Sequence, residues 1–327
     1  MRVHKRTRTG EGEIIHTNET SAGGGADALL VEAARLRGLP NFDAAVRHYS
    51  ATFVGFRERT RLVSKLMAYQ SRFRVVGYLL HLHAANQLTG DGEGVSYGSL
   101  FELCVRRGEA SPRVVKTMLA LLGLGGFLET ARSASDRRIK LYRPTARLMD
   151  FGRSWFGHTA GTLDLIEPEA RRRERLLAEP AFFLGFLVSA GQEHADEPPP
   201  ADRMPEFIGF FGTMEGAGAV VSAIALADID GVPAPSRARL ARQFGLSKTQ
   251  VARVIEAGAG LGYFELDAAA VPSPTGRLRQ DYRRWISIEL AFCARHLPMP
   301  EQPVRLAIPK GAPRGESGLQ GEAGPAI

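Results

Sequence analysis

The stretch Leu240-Ala-Arg-Gln-Phe-Gly-Leu-Ser-Lys-Thr-Gln-Val-Ala-Arg-Val-Ile255 has the spacing of two short helices joined by a tight turn. Ala241 is small enough to let a second helix cross closely. Gly245 suits the left-handed conformation that ends a helix, because it carries no Cβ to clash there. Leu246 plugs the turn, and Ser247 supplies an oxygen for the unpaired N–H groups that open the next helix. Val251, Val254 and Ile255 form an inward stripe at helical spacing. Lys248, Thr249, Gln250 and Arg253 face outward, where they suit phosphates and base edges in a DNA major groove.

Working outward, the same logic recurs upstream. Ser111-Pro-Arg-Val-Val-Lys-Thr-Met-Leu119 aligns with Ser247–Ile255 at a separation of 136 residues, which also pairs Gly126 with Gly262, Phe127 with Tyr263 and Glu129 with Glu265. Pro144-Thr-Ala-Arg-Leu148 then matches Pro274-Thr-Gly-Arg-Leu278 at a separation of 130. That register aligns Arg153 with Arg283 and Trp155 with Trp285, the only two tryptophans of the chain. The second copy is therefore six residues shorter between Glu265 and Pro274. Upstream, Val75–Gln87 corresponds loosely to Val220–Asp228. A diverged duplication is expected, since such repeats are the first thing to seek in a long helical chain.

In the first copy Ser96 is placed to cap a helix running through Arg107, with Leu100, Leu103 and Cys104 inward. Gly108 ends it, Ser111 caps the next helix, and Pro112 occupies the first helical position, where a missing N–H costs nothing. Arg113, Lys116 and Thr117 point outward; Val115, Met118, Leu119 and Leu122 point inward. Phe127–Thr130 and Arg138–Tyr142 alternate as strands of a hairpin whose basic residues are Arg132, Arg137, Arg138 and Lys140. Such a hairpin suits the minor groove or its flanking phosphates. The shortened second hairpin has no basic tip, so its contribution to binding is expected to be small.

Asp136-Arg-Arg138, followed by Leu141 and Thr145, resembles the wing motif of the MarR family of regulators (the multiple-antibiotic-resistance type). The resemblance covers roughly Leu62–Ile166 and, more weakly, Arg203–Leu297. It implies that Asp136 and Arg138 brace the hairpin and contact DNA. It also implies a small-molecule effector pocket between wing domain and long helices, although no residue identifies the effector. Family members are about half this length and act as homodimers, so a duplicated chain implies either an intramolecular pseudo-dimer or a homodimer. The second copy lacks the Asp-x-Arg motif.

The fold expected is mainly α with small β-hairpin wings: two tandem winged helix-turn-helix domains joined by long helices. Helices are predicted over Phe42–Phe53, Leu62–Gln87, Arg171–Ala190 and Arg203–Ala227. Residues 1–26 read as a disordered basic arm, in which Lys5, Arg6 and Arg8 could seek a groove. Residues 27–191 hold a helical segment and the first winged-helix domain. Residues 192–202 read as a Pro-rich linker, 203–298 as the second winged-helix domain, and 299–327 as a disordered tail.

The 327 residues carry a formal charge of +7, which favours an anionic partner without choosing between nucleic acid and membrane. The longest apolar runs fall short of the ~20 residues that cross a bilayer, so a cytoplasmic, nucleoid-associated protein with no membrane partner is expected. Cys104 and Cys293, far apart in apolar runs, read as core residues rather than a disulfide or zinc site. His81 and His83 stand two apart on a helix and so cannot share a metal. The run Arg171-Arg-Arg-Glu-Arg175 reads as a solvated helix face. Gly123–Gly126 and Gly258–Gly262 follow helices and open strands, the reverse of a dinucleotide loop. No catalytic arrangement or cofactor is expected. The partner expected is double-stranded DNA, read by Arg113, Lys116, Thr117, Arg132, Arg137, Arg138, Lys140, Lys248, Thr249, Gln250 and Arg253. The rival readings are a plasmid-type replication initiator, also with two winged helices, and a protein-interaction co-regulator that does not read DNA.

Overall fold

The computed structural model describes residues 22–60, 69–90, 93–105, 107–197 and 203–300. It is mainly helical, with two small antiparallel sheets. The first half runs α1 (Ala22–Arg37), α2 (Phe42–Arg59), α3 (Gln70–Thr89), β1 (Val95–Ser96), α4 (Tyr97–Val105), α5 (Pro112–Leu124), β2 (Leu128–Arg132), β3 (Lys140–Pro144) and α6 (Ala146–Ile166). The second half runs α7 (Arg172–Ala178), α8 (Pro180–Asp196), α9 (Pro205–Phe211), α10 (Ala217–Ile229), α11 (Arg237–Phe244), α12 (Lys248–Gly260), β4 (Phe264–Leu266), β5 (Pro272–Pro274) and α13 (Gly276–His296).

The duplication read from the sequence has a counterpart in local geometry. Ser111 accepts a hydrogen bond from the Val114 N–H at 3.3 Å, and Ser247 accepts one from Gln250 at 3.0 Å. Gly126 and Gly262 take φ of 69° and 74°, so each copy leaves its helix through the left-handed region. The Phe127 and Tyr263 N–H groups then return to Leu122 and Gly258 carbonyls, both at 2.8 Å. Arg147 donates to the Gly125 carbonyl at 2.8 Å and Arg277 to the Leu261 carbonyl at 2.6 Å. Each guanidinium also covers an aromatic ring, Phe127 at 4.4 Å and Tyr263 at 4.9 Å. Cations at helix C-termini meet unpaired carbonyls and the negative end of the dipole. The two copies thus close the same joint with the same chemistry.

The hairpins differ as the six-residue deletion requires. β2 and β3 pair over five positions, from Leu128↔Pro144 to Arg132↔Lys140, and β1 extends the sheet beside β3. β4 and β5 pair over three, with Asp267 Oδ1 accepting the Ala269 and Val271 N–H groups in the turn. The observed strands lie about two residues further along than Phe127–Thr130 and Arg138–Tyr142. Asp136 Oδ1 takes the Arg138 N–H at 2.9 Å, which turns the chain there and leaves Arg138 off the strand.

Each half lays its leading helices on the other. α1 packs against α13 and α2 against α10; reciprocally, α7 packs against α6 and α8 against α3. α2 also packs on α6, and α6 meets α13. Aligned arginines repeat the exchange: Arg283 on α13 covers Phe42 of α2 at 5.2 Å, and Arg153 on α6 covers Phe183 of α8 at 5.1 Å. Arg37 donates to Ser287 Oγ at 2.6 Å, and Arg47 pairs with Asp230 at 2.6 Å. A single apolar core therefore extends from Leu29 to Leu297.

Several boundaries correct the sequence reading. Residues 22–26 belong to α1 rather than to a disordered arm; Lys5, Arg6 and Arg8 lie outside the described residues, as do 301–327 of the expected tail. The helix expected over Leu62–Gln87 is described from Gln70, with residues 61–68 outside the description. α8 runs through Asp196, so Gln192–Asp196 is helix and not linker; 198–202 lie outside the described residues. The helix expected over Arg171–Ala190 breaks at Glu179, whose φ and ψ are extended before Pro180, as the ring of a following proline demands. The helix expected over Arg203–Ala227 breaks before Gly216, which sits at φ 81°. A Cβ on Gly216 would lie 2.5 Å from Leu246, so this break seats the leucine that plugs the α11–α12 turn. The arginine run is not a uniformly solvated face. Arg172 is 2% exposed, donating to the Leu297 carbonyl at 2.8 Å and to Glu167 at 2.7 Å.

Candidate nucleic-acid interface

α5 and α12 each bury the apolar stripe read from the sequence: Val115, Met118, Leu119 and Leu122 in one, Val251, Val254 and Ile255 in the other. That packing leaves Arg113, Lys116 and Thr117 exposed on α5, and Lys248, Thr249 and Arg253 exposed on α12. Gln250 departs from the expectation. It is half-buried, its Oε1 accepts the Ser247 N–H at 2.8 Å, and its amide donates to Glu215 at 3.1 Å. A side chain so committed stabilises the helix start instead of facing outward.

In the first hairpin Arg132, Arg137, Arg138 and Lys140 are all exposed. Arg132 donates to the Arg138 carbonyl at 3.1 Å, and the Lys140 ammonium lies 5.3 Å from the Tyr142 ring. Lys116 stands 5.6 Å from the Tyr97 ring. Arg138 reaches Asp136 only at 3.8 Å, with its side chain 96% exposed. The hairpin has a second brace that the sequence reading missed. The Glu93 carboxylate accepts Ser133 Oγ at 2.7 Å and the Ala134 N–H at 3.0 Å, while its carbonyl takes Arg143 Nε at 2.7 Å. Glu93 lies forty residues upstream, so no local pattern could reveal it. Arg239 and Arg242 on α11 are exposed too and were likewise missed.

Among the described residues Arg113, Lys116, Arg137, Lys140, Lys248 and Arg253 form no ion pair. Elsewhere arginines are answered: Arg35 by Glu167, Arg171 by Glu174, Arg279 by Asp228 and Arg295 by Glu193. Exposed, unneutralised cations of this kind are what draws a polyanion, through release of its counterions. Among the described residues no group of His, Cys, Asp and Glu is arranged to hold a metal, and no helix is long and apolar enough to cross a membrane.

A cavity of about 270 Å³ lies where α2, α3, α6, α8, α9 and α13 converge. The aligned tryptophans Trp155 and Trp285 both line it. Beside it, His158 sits among Tyr49, Trp155 and Phe56 rings, 5.2, 5.5 and 6.2 Å away, and burial lowers it to about 4. Burial likewise lowers His194, which lines the cavity, to about 4. A histidine buried neutral binds its proton more weakly folded than unfolded, so stability holds above the unfolded value of 6.5 and falls as pH drops from there towards 4. In urea titrations at pH 4.5, a His158→Phe variant is expected to keep about 2 kcal/mol more of its neutral-pH stability than the wild type does. Equal losses in both proteins would show that His158 does not set this slope.

No family model matches the chain, and neither the curated proteins nor the solved structures compared with it give a match.

Proposed function

We propose that the chain is a sequence-specific double-stranded DNA-binding transcriptional regulator, MarR-like, built as two winged helix-turn-helix units in tandem. α5 and α12 act as recognition helices in successive major grooves. The β2–β3 hairpin serves as the basic wing. The observation that carries this reading is the coincidence, in both copies, of a Ser-capped second helix with an outward face of unpaired cations. If the two copies read one site across a pseudo-twofold, the half-sites stand about 34 Å apart. α5 offers Arg113, Lys116 and Thr117, whereas α12 offers Lys248, Thr249 and Arg253, so the half-sites differ and the dyad is imperfect.

The deciding experiment is genome-wide recovery of DNA crosslinked to the protein in its own cells, for wild type and an Arg113→Ala/Arg253→Ala double variant. Promoter peaks that share an asymmetric dyad and vanish in the variant support the reading. A single cluster at an origin would replace it with a replication initiator, and no peaks would leave the two units as protein-docking surfaces.

On a recovered site, fluorescence anisotropy is expected to show Arg253→Ala weakening binding about tenfold and relaxing sequence preference, the loss of one base contact. Arg138→Ala is expected to weaken all sequences alike and lower the slope of log K against log salt by about 0.9, the loss of one phosphate contact. Unchanged affinity in both variants would remove the proposed interface.

A further inference from the structure

The cavity between the halves has aromatic walls and a lone acid. Trp155 packs against Phe53 and Phe73, with centroids 5.9 and 5.1 Å away. Trp285 packs against Tyr49 and Phe211 at 5.5 and 4.4 Å. One turn beyond each tryptophan the copies diverge: the first places Thr159 on the cavity wall, and the second places Glu289 there. Among the described residues no cation pairs with Glu289, and burial raises it to about 7, with only the Trp285 side chain opposing the shift. A carboxylate held in such walls is costly unless something positive answers it.

The cavity's arginines are placed otherwise. Arg74 lies 3.8 Å from Glu109. Arg57 is lowered to about 10 by burial and stands 5.9 Å from the Phe53 ring. It is eight residues along α2 from Tyr49, the α2 residue that feels the Glu289 charge, hence about 12 Å up the helix. Among the described residues Arg57 forms no ion pair with Glu289 and is not among the groups that act on it. The π-faces around the acid attract cations, in addition to its own charge.

We propose that this cavity binds a compact organic cation, an aromatic or alkyl ammonium whose charge meets Glu289 and whose apolar body lies between Trp155 and Trp285. The site stands independently of what α5 and α12 bind. The volume suits a ligand of the size of benzyltrimethylammonium, near the lower end of small-molecule pockets.

The test is a fluorescence titration of the full chain, since both of its tryptophans line the cavity and report occupancy. Benzyltrimethylammonium, neutral benzyl alcohol and benzoate are compared on wild type and on Glu289→Gln, with thermal melting as the folding control. Saturable binding of the cation is expected, stronger than that of the alcohol and weakened at least tenfold in Glu289→Gln. The wild-type preference for cation over alcohol keeps the test decisive should the variant not fold. Equal cation affinity in folded Glu289→Gln would overturn the proposal. So would a preference for benzoate that depends on Arg57, or no saturation up to ~10 mM cation.

Discussion

Replacing Arg172 by alanine is expected to lower the unfolding free energy by about 4 kcal/mol, whereas the same change at Arg171, one residue earlier, is expected to cost under ~0.5 kcal/mol. Both belong to one arginine run, and burial separates them. Arg171 pairs with Glu174 while its side chain is 65% exposed, so water and mobility reduce that pair to little. Arg172 is 2% exposed, and its guanidinium ties α7 to the end of α13 through the Leu297 carbonyl and to Glu167. Its removal leaves a buried carbonyl without a donor and takes one of two cations from Glu167, which keeps Arg35 at 2.6 Å. Urea denaturation of the two variants measures the contrast. Equal, small losses would show that the buried guanidinium does not hold the halves together.

The second large effect concerns the crossing of α3 and α8. A Cβ on Gly191 would lie 2.4 Å from the His81 ring, so the side chain of α3 occupies the space that only glycine leaves on α8. His81 is 4% exposed, and its Nδ1 lies 3.2 Å from the Leu187 carbonyl, so it has nowhere to retreat. Gly191→Ala is expected to destabilise by about 3 kcal/mol through overpacking, despite the better helix propensity of alanine. A His81→Ala background empties the site, and there Gly191→Ala is expected to be near neutral. A thermodynamic cycle over the four proteins reads that coupling, and additive losses would contradict the proposed clash.

What was legible in the sequence was local. Ser111, Ser247, Gly126 and Gly262 announce helix starts and ends through their own conformational chemistry, and all four act as their residue types suggest. The inward stripes of α5 and α12 follow from helical spacing alone. Two of the misplaced boundaries share a cause, a helical period that continues across a breaker. Pro180 and Gly216 interrupt patterns whose apolar residues continue on the far side in a different helix. The helix over residues 22–26 and Gln192–Asp196 is the opposite case, where Gly- and Pro-rich surroundings conceal it. Glu93, His81 and Gly191, and the cavity wall, were not legible because each depends on residues brought together from distant segments. The paired tryptophans stood out in the alignment, but nothing in their spacing shows that they line the same space.

The reciprocal laying of helices has a consequence for how the chain comes into being. Arg37 and Ser287, joined by a hydrogen bond, lie 250 residues apart. During synthesis α1 and α2 emerge long before α13 and α10 exist, so the faces they lay on those two helices wait without cover. The ribosome adds about 5–20 residues per second, which makes that wait on the order of ten seconds or more. The first half therefore cannot finish folding as an independent unit, and contacts of such sequence separation form slowly. A nascent chain stalled before α10 would expose a sticky, half-built surface of the kind that chaperones capture. Two chains could also trade their leading helices, closing an intermolecular version of the same exchange. Concentration during refolding then becomes a structural variable for this protein.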